Sequence, residues 1–138
     1  MLLDTQVWRW YAAGHDARVG HRARRAIERA SAAGALVVSV ASMFELAALS
    51  AAGRLQLMPS TDAWIRQSIE LGRMQVAEIT AAVAIEAGSI PPSALADPMD
   101  RLLVATARAW GIPIATRDAA IRQYVSMQGG VRAIDVSR

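Results

Sequence analysis

The chain has 138 residues, 54% of them hydrophobic and only 5% aromatic, which makes one domain of ordinary size with a core built on Ala, Val, Leu and Ile. It contains no cysteine, which excludes disulfides and thiolate metal sites, and no lysine, which excludes P-loop nucleotide hydrolysis, Schiff-base catalysis and Ser–Lys hydrolysis. The net charge of +3 rests on 15 arginines; guanidinium suits bidentate contact with phosphate, so nucleic acid is a permitted partner, although a GC-rich coding sequence produces the same bias.

Residues 1–3 are apolar and end at Asp4, so they read as a brief strand with a carboxylate at its C-terminal end. Asp4 also interrupts the opening residues with no charged region before an apolar one; no secretory signal is read, and a cytoplasmic location is expected. Val7, Trp8 and Tyr11 suggest a helix ending near Gly14. Residues 16–33 read as a second helix with Arg18, Arg22, Arg25 and Arg29 along one face, which is ordinarily a solvated face. Residues 36–40 form the clearest strand, β-branched and uninterrupted. A helix capped at Ser42 then runs to Gly53 with Met43, Phe44, Leu46, Ala48 and Leu49 on every side, so wide burial is expected. No apolar run approaches the roughly 20 residues of a membrane span.

After a loop at Pro59, Thr61 or Asp62 starts a helix to Gly72 with Trp64, Ile65, Ile69 and Leu71 as its apolar residues. Residues 75–79 read as a strand and 80–87 as a short helix closed by Gly88, followed by a loop with Pro91 and Pro92. Asp97 and Pro98 are a helix start, an acid at the cap and a proline at the first position, and Gly111 is its stop. Residues 112–116 are a buried strand ending at Asp118, and residues 119–124 a short helix. Gly129 and Gly130 turn the chain into a last edge strand over 131–136. This alternation predicts a single α/β domain spanning 1–138, a mainly parallel sheet of four or five strands with helices on both faces.

Four acids belong to the C-terminal edge of that sheet, where open α/β folds bind ligands. Asp4 and Asp118 follow strands. Glu45 is the one charged residue in the stretch between Ala30 and Gly53. Asp100 shares the apolar stripe of Leu103, Val104 and Ala107. Each has a local explanation: Asp4 and Asp118 as helix caps, Ser42-Met43-Phe44-Glu45 as a capping box, Asp100 as the third residue of a capped helix. Together they exceed it, because clustered carboxylates repel unless a cation sits among them. Oxygen-only donors favour Mg²⁺ or Mn²⁺, and such a site suits phosphodiester cleavage by activated water. His15 and His21 are not at metal-ligand spacing and read as surface residues.

These residues carry a resemblance. MLLDT at 1–5, SVASMFELA at 39–47, GRL at 53–55, DPMDRLLVATA at 97–107 and IATRD at 114–118 together resemble a PIN-domain protein of the VapC type, the toxin ribonucleases of bacterial toxin–antitoxin pairs. The resemblance covers essentially the whole chain. It implies a PIN-like α/β/α sandwich and a Mg²⁺- or Mn²⁺-dependent endoribonuclease that is inhibited by a cognate antitoxin and forms a homodimer. The family's acids map to Asp4, Glu45, Asp100 and Asp118, with Thr116 and Thr5 in support and Asp97 as a cap. Arg54, Arg101 and Arg117 are candidates for RNA contact. Two positions depart from the pattern: Leu95 stands where many relatives have histidine, and Leu49 where many have lysine. Two other readings are open to these residues. A non-catalytic module with this fold would engage a partner protein. An aspartyl-nucleophile phosphatase would use Asp4, but it needs a second acid where Gln6 stands.

Overall fold

A computed structural model describes residues 1–14 and 16–138. Five short strands form one wholly parallel sheet: β1 (Leu2–Leu3), β2 (Val37–Ser39), β3 (Gln75–Ala77), β4 (Ile114–Thr116) and β5 (Ala133–Asp135). Their spatial order is β3-β2-β1-β4-β5. The helices are α1 (Thr5–Ala12), α2 (His21–Ala32), α3 (Val40–Ala51), α4 (Thr61–Leu71), α5 (Ala81–Ser89), α6 (Pro98–Trp110) and α7 (Ala119–Gln128), with a 3₁₀ turn at Asp16–Arg18.

Side chains alternate across a strand, and that alternation builds the layers. Leu3, Val38 and Ala115 face one way, against Val7 and Trp8 of α1, Ile27 of α2 and Leu46 of α3. Leu2, Val37 and Ile114 face the other way, against Leu103, Val104 and Ala107 of α6 and Ile121 and Val125 of α7. Val83 and Ala87 of α5 pack on Ala105 of α6. The result is the expected α/β/α sandwich. From β1 the chain steps outward to β2 and β3, then returns to the far side of β1 for β4 and β5. The order therefore reverses between β1 and β4, the crevice at which ligands bind in such sheets. No helix among the described residues is long and apolar enough to cross a membrane.

Several local expectations are corrected. The cap of α3 is Ser39, whose hydroxyl accepts from the Ala41 amide at 3.1 Å. Ser42 is buried inside the helix and accepts from the Thr5 hydroxyl at 2.9 Å. No capping box therefore explains Glu45. The second helix begins at His21 rather than 16. Its cap is Gly20, where the Ala23 amide donates to the Arg138 carbonyl (3.0 Å) and Gly20 to that of Val136 (2.8 Å). A Cβ at Gly20 would collide with the Arg138 backbone, so this close approach needs glycine. Arg22, Arg25 and Arg29 do lie on a solvated face, and Arg18 belongs to the 3₁₀ turn.

Nor is α3 buried on every side, because Phe44 is 67% exposed and Ala47 and Ala48 are open beside it. Leu71 at the end of α4 is likewise exposed rather than packed. α5 continues through Gly88, and α7 extends past Tyr124 to Gln128. β4 begins at Ile114 because Pro113 has no amide to give; its carbonyl accepts from Leu2 at 2.8 Å. His21 is exposed as expected, and the reading of His15 falls outside the described residues.

Candidate active site

The edge is organised by two helix starts. β1 runs into Asp4, whose Oδ1 accepts from the Val7 amide at 2.7 Å and caps α1. β4 runs past Arg117 into Asp118, whose Oδ1 accepts from the Ile121 amide at 3.0 Å and caps α7. Capping is thus real for both acids, and it serves to hold them in place. β1 and β4 are neighbours, so the two carboxylates come to adjacent positions on the edge.

Thr116 joins them. It is fully buried, its hydroxyl accepts from the Asp118 amide at 2.9 Å, and it also hydrogen-bonds the Asp4 carboxylate. Thr5 is buried beside Asp4 and ties the start of α1 to Ser42, one turn before Glu45 on α3. The fourth acid arrives on α6. Asp97 caps that helix through the Met99 amide at 2.8 Å, Pro98 takes its first position, and Asp100 falls in the first turn, half-buried.

The electrostatics record the convergence. Burial is the main cause that raises the Asp100 carboxyl to about 7; the charges of Asp97, Asp118, Glu45 and Asp4 add to it in that order. Burial also pushes Asp4 upward. The hydrogen bond from Thr116 and the amides of Val7 and Gln6 oppose this, and Asp118 adds to it. The acids predicted from sequence therefore feel one another across three strand and helix junctions. Among the described residues, no three Asp, Glu or His side chains are drawn together as a metal-binding group. The chemistry of the set is nevertheless that of a hard-cation site: oxygen donors only, partly desolvated, and mutually repelling.

The three candidate arginines have different surroundings. Arg54 is exposed after α3. Arg117 lies with its guanidinium 5.9 Å from the ring centre of Trp10. Arg101 turns inward, and its guanidinium donates to the carbonyls of Ile90 and Ala96, both at 3.4 Å, while its buried Nε has no partner among the described residues. That geometry anchors the loop before α6. Leu95 in that loop is a core residue, 1% exposed, so apolar packing accounts for it. Leu49 is half-buried on α3.

Two features went unread in the sequence. Arg122 on α7 donates to the Asp118 carbonyl at 3.3 Å and pairs with Asp135 at the end of β5 (2.6 Å). Its position four residues after Asp118 was the available sign. Trp10, approached by Arg18 at 5.8 Å and by Arg117, carries no sign beyond its place between arginines in the sequence.

Comparison with known proteins bears on the family and the fold. The PIN domain family matches residues 1–126. Ribonuclease VapC22 of Mycobacterium tuberculosis is 36% identical over 124 residues, covering 90% of this chain and 91% of that protein. The crystal structure of DNA-bound VapBC from Salmonella typhimurium superposes with a TM-score of 0.66 at 18% identity, covering 96% of this chain and 95% of that one. That of VapBC2 from Rickettsia felis, bound to a DNA fragment from its promoter, also scores 0.66, at 12% identity and 96% coverage of each chain.

Proposed function

The chain belongs to the PIN-domain family, and from that premise we propose that it is a VapC-like endoribonuclease toxin whose acidic edge is the catalytic site. The observation that carries this reading is the convergence of Asp4, Glu45, Asp100 and Asp118, with Asp100 lifted to about 7 by burial and by the other acids. Mg²⁺ or Mn²⁺ held there would supply water activation and stabilisation of the leaving oxygen. Asp4 and Asp118, positioned by their caps and by Thr116, would hold the ion together with Glu45 and Asp100, whose charges it would offset. Arg117, adjacent to Asp118, and Arg54 are suited to the phosphate backbone; Arg101 is better described as the anchor of the preceding loop.

The partners of this reading are an RNA substrate, a cognate antitoxin and a second copy of the chain. Phe44, exposed on α3 beside Glu45, offers an apolar contact whose covering would close the site. The phosphatase reading loses support, because the position two residues after Asp4 is Gln6, whose carbonyl accepts from Arg9 at 2.9 Å. The intact acid set argues against a non-catalytic module that only engages a partner protein.

The decisive test is induction of the chain alone and together with its antitoxin, in parallel with RNA cleavage by purified protein in Mn²⁺. Arrest and cleavage are expected from the wild type. Both should fall by at least two orders of magnitude in Asp100→Ala, whose lost carboxylate acts on the reacting centre. Cleavage by Asp100→Ala at the wild-type rate would remove Asp100 from the site.

A further inference from the structure

A cleft of about 310 Å³ lies between α1 and the segment joining α3 to α4. Its walls include Trp10, Trp64, Leu55, Met58, Arg9 and Gln56. We propose that this cleft is a nucleobase subsite, which receives an unstacked base of a single-stranded RNA whose phosphate backbone runs to the acids. The proposal rests on the ribonuclease reading and adds to it where the strand is gripped.

Two tryptophans on α1 differ in their surroundings. Trp8 is fully buried, its indole N–H donates to the Ser68 hydroxyl at 3.1 Å, and its ring meets Trp64 at 5.6 Å. It is a core residue in every respect. Trp10, two positions on, is only partly covered, and among the described residues its indole N–H meets no acceptor. A large ring with an open donor at the edge of a cleft is costly to leave in water and suits a flat, polar-edged ligand.

Positive charge gathers at the same ring. Arg18 and Arg117 stand 5.8 and 5.9 Å from the centre of the Trp10 ring. Arg9 lines the cleft and bonds only the neutral amide of Gln6. Among the described residues none of these three guanidinium groups pairs with an acid. A tryptophan overlaid by arginines that pair with no acid among the described residues matches how proteins hold single strands: bases stack on rings or guanidinium planes, and cations follow the phosphates. Among the described residues the Gln56 amide meets only the Met58 sulfur at 3.7 Å, which leaves it able to meet a base edge.

Arg117 directly precedes Asp118, so one side chain spans from the acidic edge to the Trp10 ring. Along α1, Trp10 is six residues from Asp4, or about 9 Å of helix rise. A strand with its scissile phosphate at the acids would reach the cleft by crossing about that distance past Arg117.

The test compares two probes of equal charge in chelator: a fluorescent mixed-sequence RNA of about ten nucleotides and an abasic ribose-phosphate chain of the same length. Fluorescence anisotropy gives a Kd for each. The wild type should bind RNA about tenfold more tightly than the abasic chain, the worth of one well-stacked base. Trp10→Leu should lose that preference while binding the abasic chain as before. Ala13→Phe, which fills the cleft from an exposed position and leaves the core untouched, should do the same and decides the matter if Trp10→Leu folds poorly. A wild type with no preference, or variants that keep it, would overturn the subsite. Cleavage of RNA in Mn²⁺ is scored separately. Cleavage without base preference sinks the subsite alone, and base preference without cleavage sinks only the nuclease reading.

Discussion

A carboxyl that holds its proton to about 7, as Asp100 does through burial and four neighbouring acids, makes the fold sensitive to pH. An aspartate in an unfolded chain titrates near 3.9, so the folded state binds this proton more tightly. Without a divalent ion, the contribution is favourable at low pH and is lost as pH rises through the window from the ordinary carboxylate range to about 7. Asp4, also raised, acts in the same direction. The melting temperature of chelated protein should accordingly fall between about pH 5 and pH 8, and Asp100→Asn should flatten much of that slope. Thermal denaturation across that range reads the effect; an unchanged slope in the variant would mean that Asp100 does not carry it. The same residue shows what could be read in advance. Its place on an apolar stripe marked it, and its spacing from Leu103 and Val104 was enough. The inward turn of Arg101, one residue later, had no such mark, because the carbonyls of Ile90 and Ala96 reach it only through the fold of the preceding loop.

Helix α1 carries both the site and its anchorage. Its first residues, Asp4 and Thr5, serve the edge, while Trp8 fixes the same helix to α4 through Ser68 and Trp64. Trp8→Ala would remove a fully buried ring and leave Ser68 without its partner, costing about 3–5 kcal/mol. Urea denaturation should show this loss, and it exceeds what one exposed substitution costs. Helix starts illustrate the limit of local reading. Asp97, Asp118 and Asp4 cap the helices expected of them. Ser39 and Ser42 offer equivalent chemistry three residues apart, and only the Thr5 hydroxyl, brought in by α1, engages Ser42. Likewise α2 begins where the Arg138 carbonyl meets the Ala23 amide, a contact set by the chain after β5.

The molecule as a whole places carboxylates from four separate segments on one edge, so binding a divalent ion should couple to the stability of the entire fold. An ion that binds the folded chain alone stabilises it by mass action, about 2.7 kcal/mol at a hundredfold excess over Kd. Mn²⁺ should therefore raise the melting temperature at pH 8, and Asp100→Asn should lose most of that rise. Equal shifts in both proteins would exclude Asp100 as a ligand. The topology explains why the coupling is global: Asp4 and Asp118 flank the reversal of strand order, while α3 and α6 reach the edge from opposite layers.

The sequence alone determined the alternation of strand and helix, the caps at Asp97 and Asp118, and the αL stop at Gly111, whose φ is 62°. It also placed Asp4 and Asp118 after strands, Asp100 in a first turn and Glu45 on the helix that follows a strand. These are local matters, governed by periodicity, backbone freedom and hydrogen bonds within a few residues. Only the tertiary structure decided the strand order β3-β2-β1-β4-β5, the exposure of Phe44 on a helix apolar all round, and which serine capped α3. It alone brought Arg117 to Trp10 and raised Asp100. Each of these depends on which distant groups share a few ångströms of space, and desolvation and charge act through space rather than along the chain.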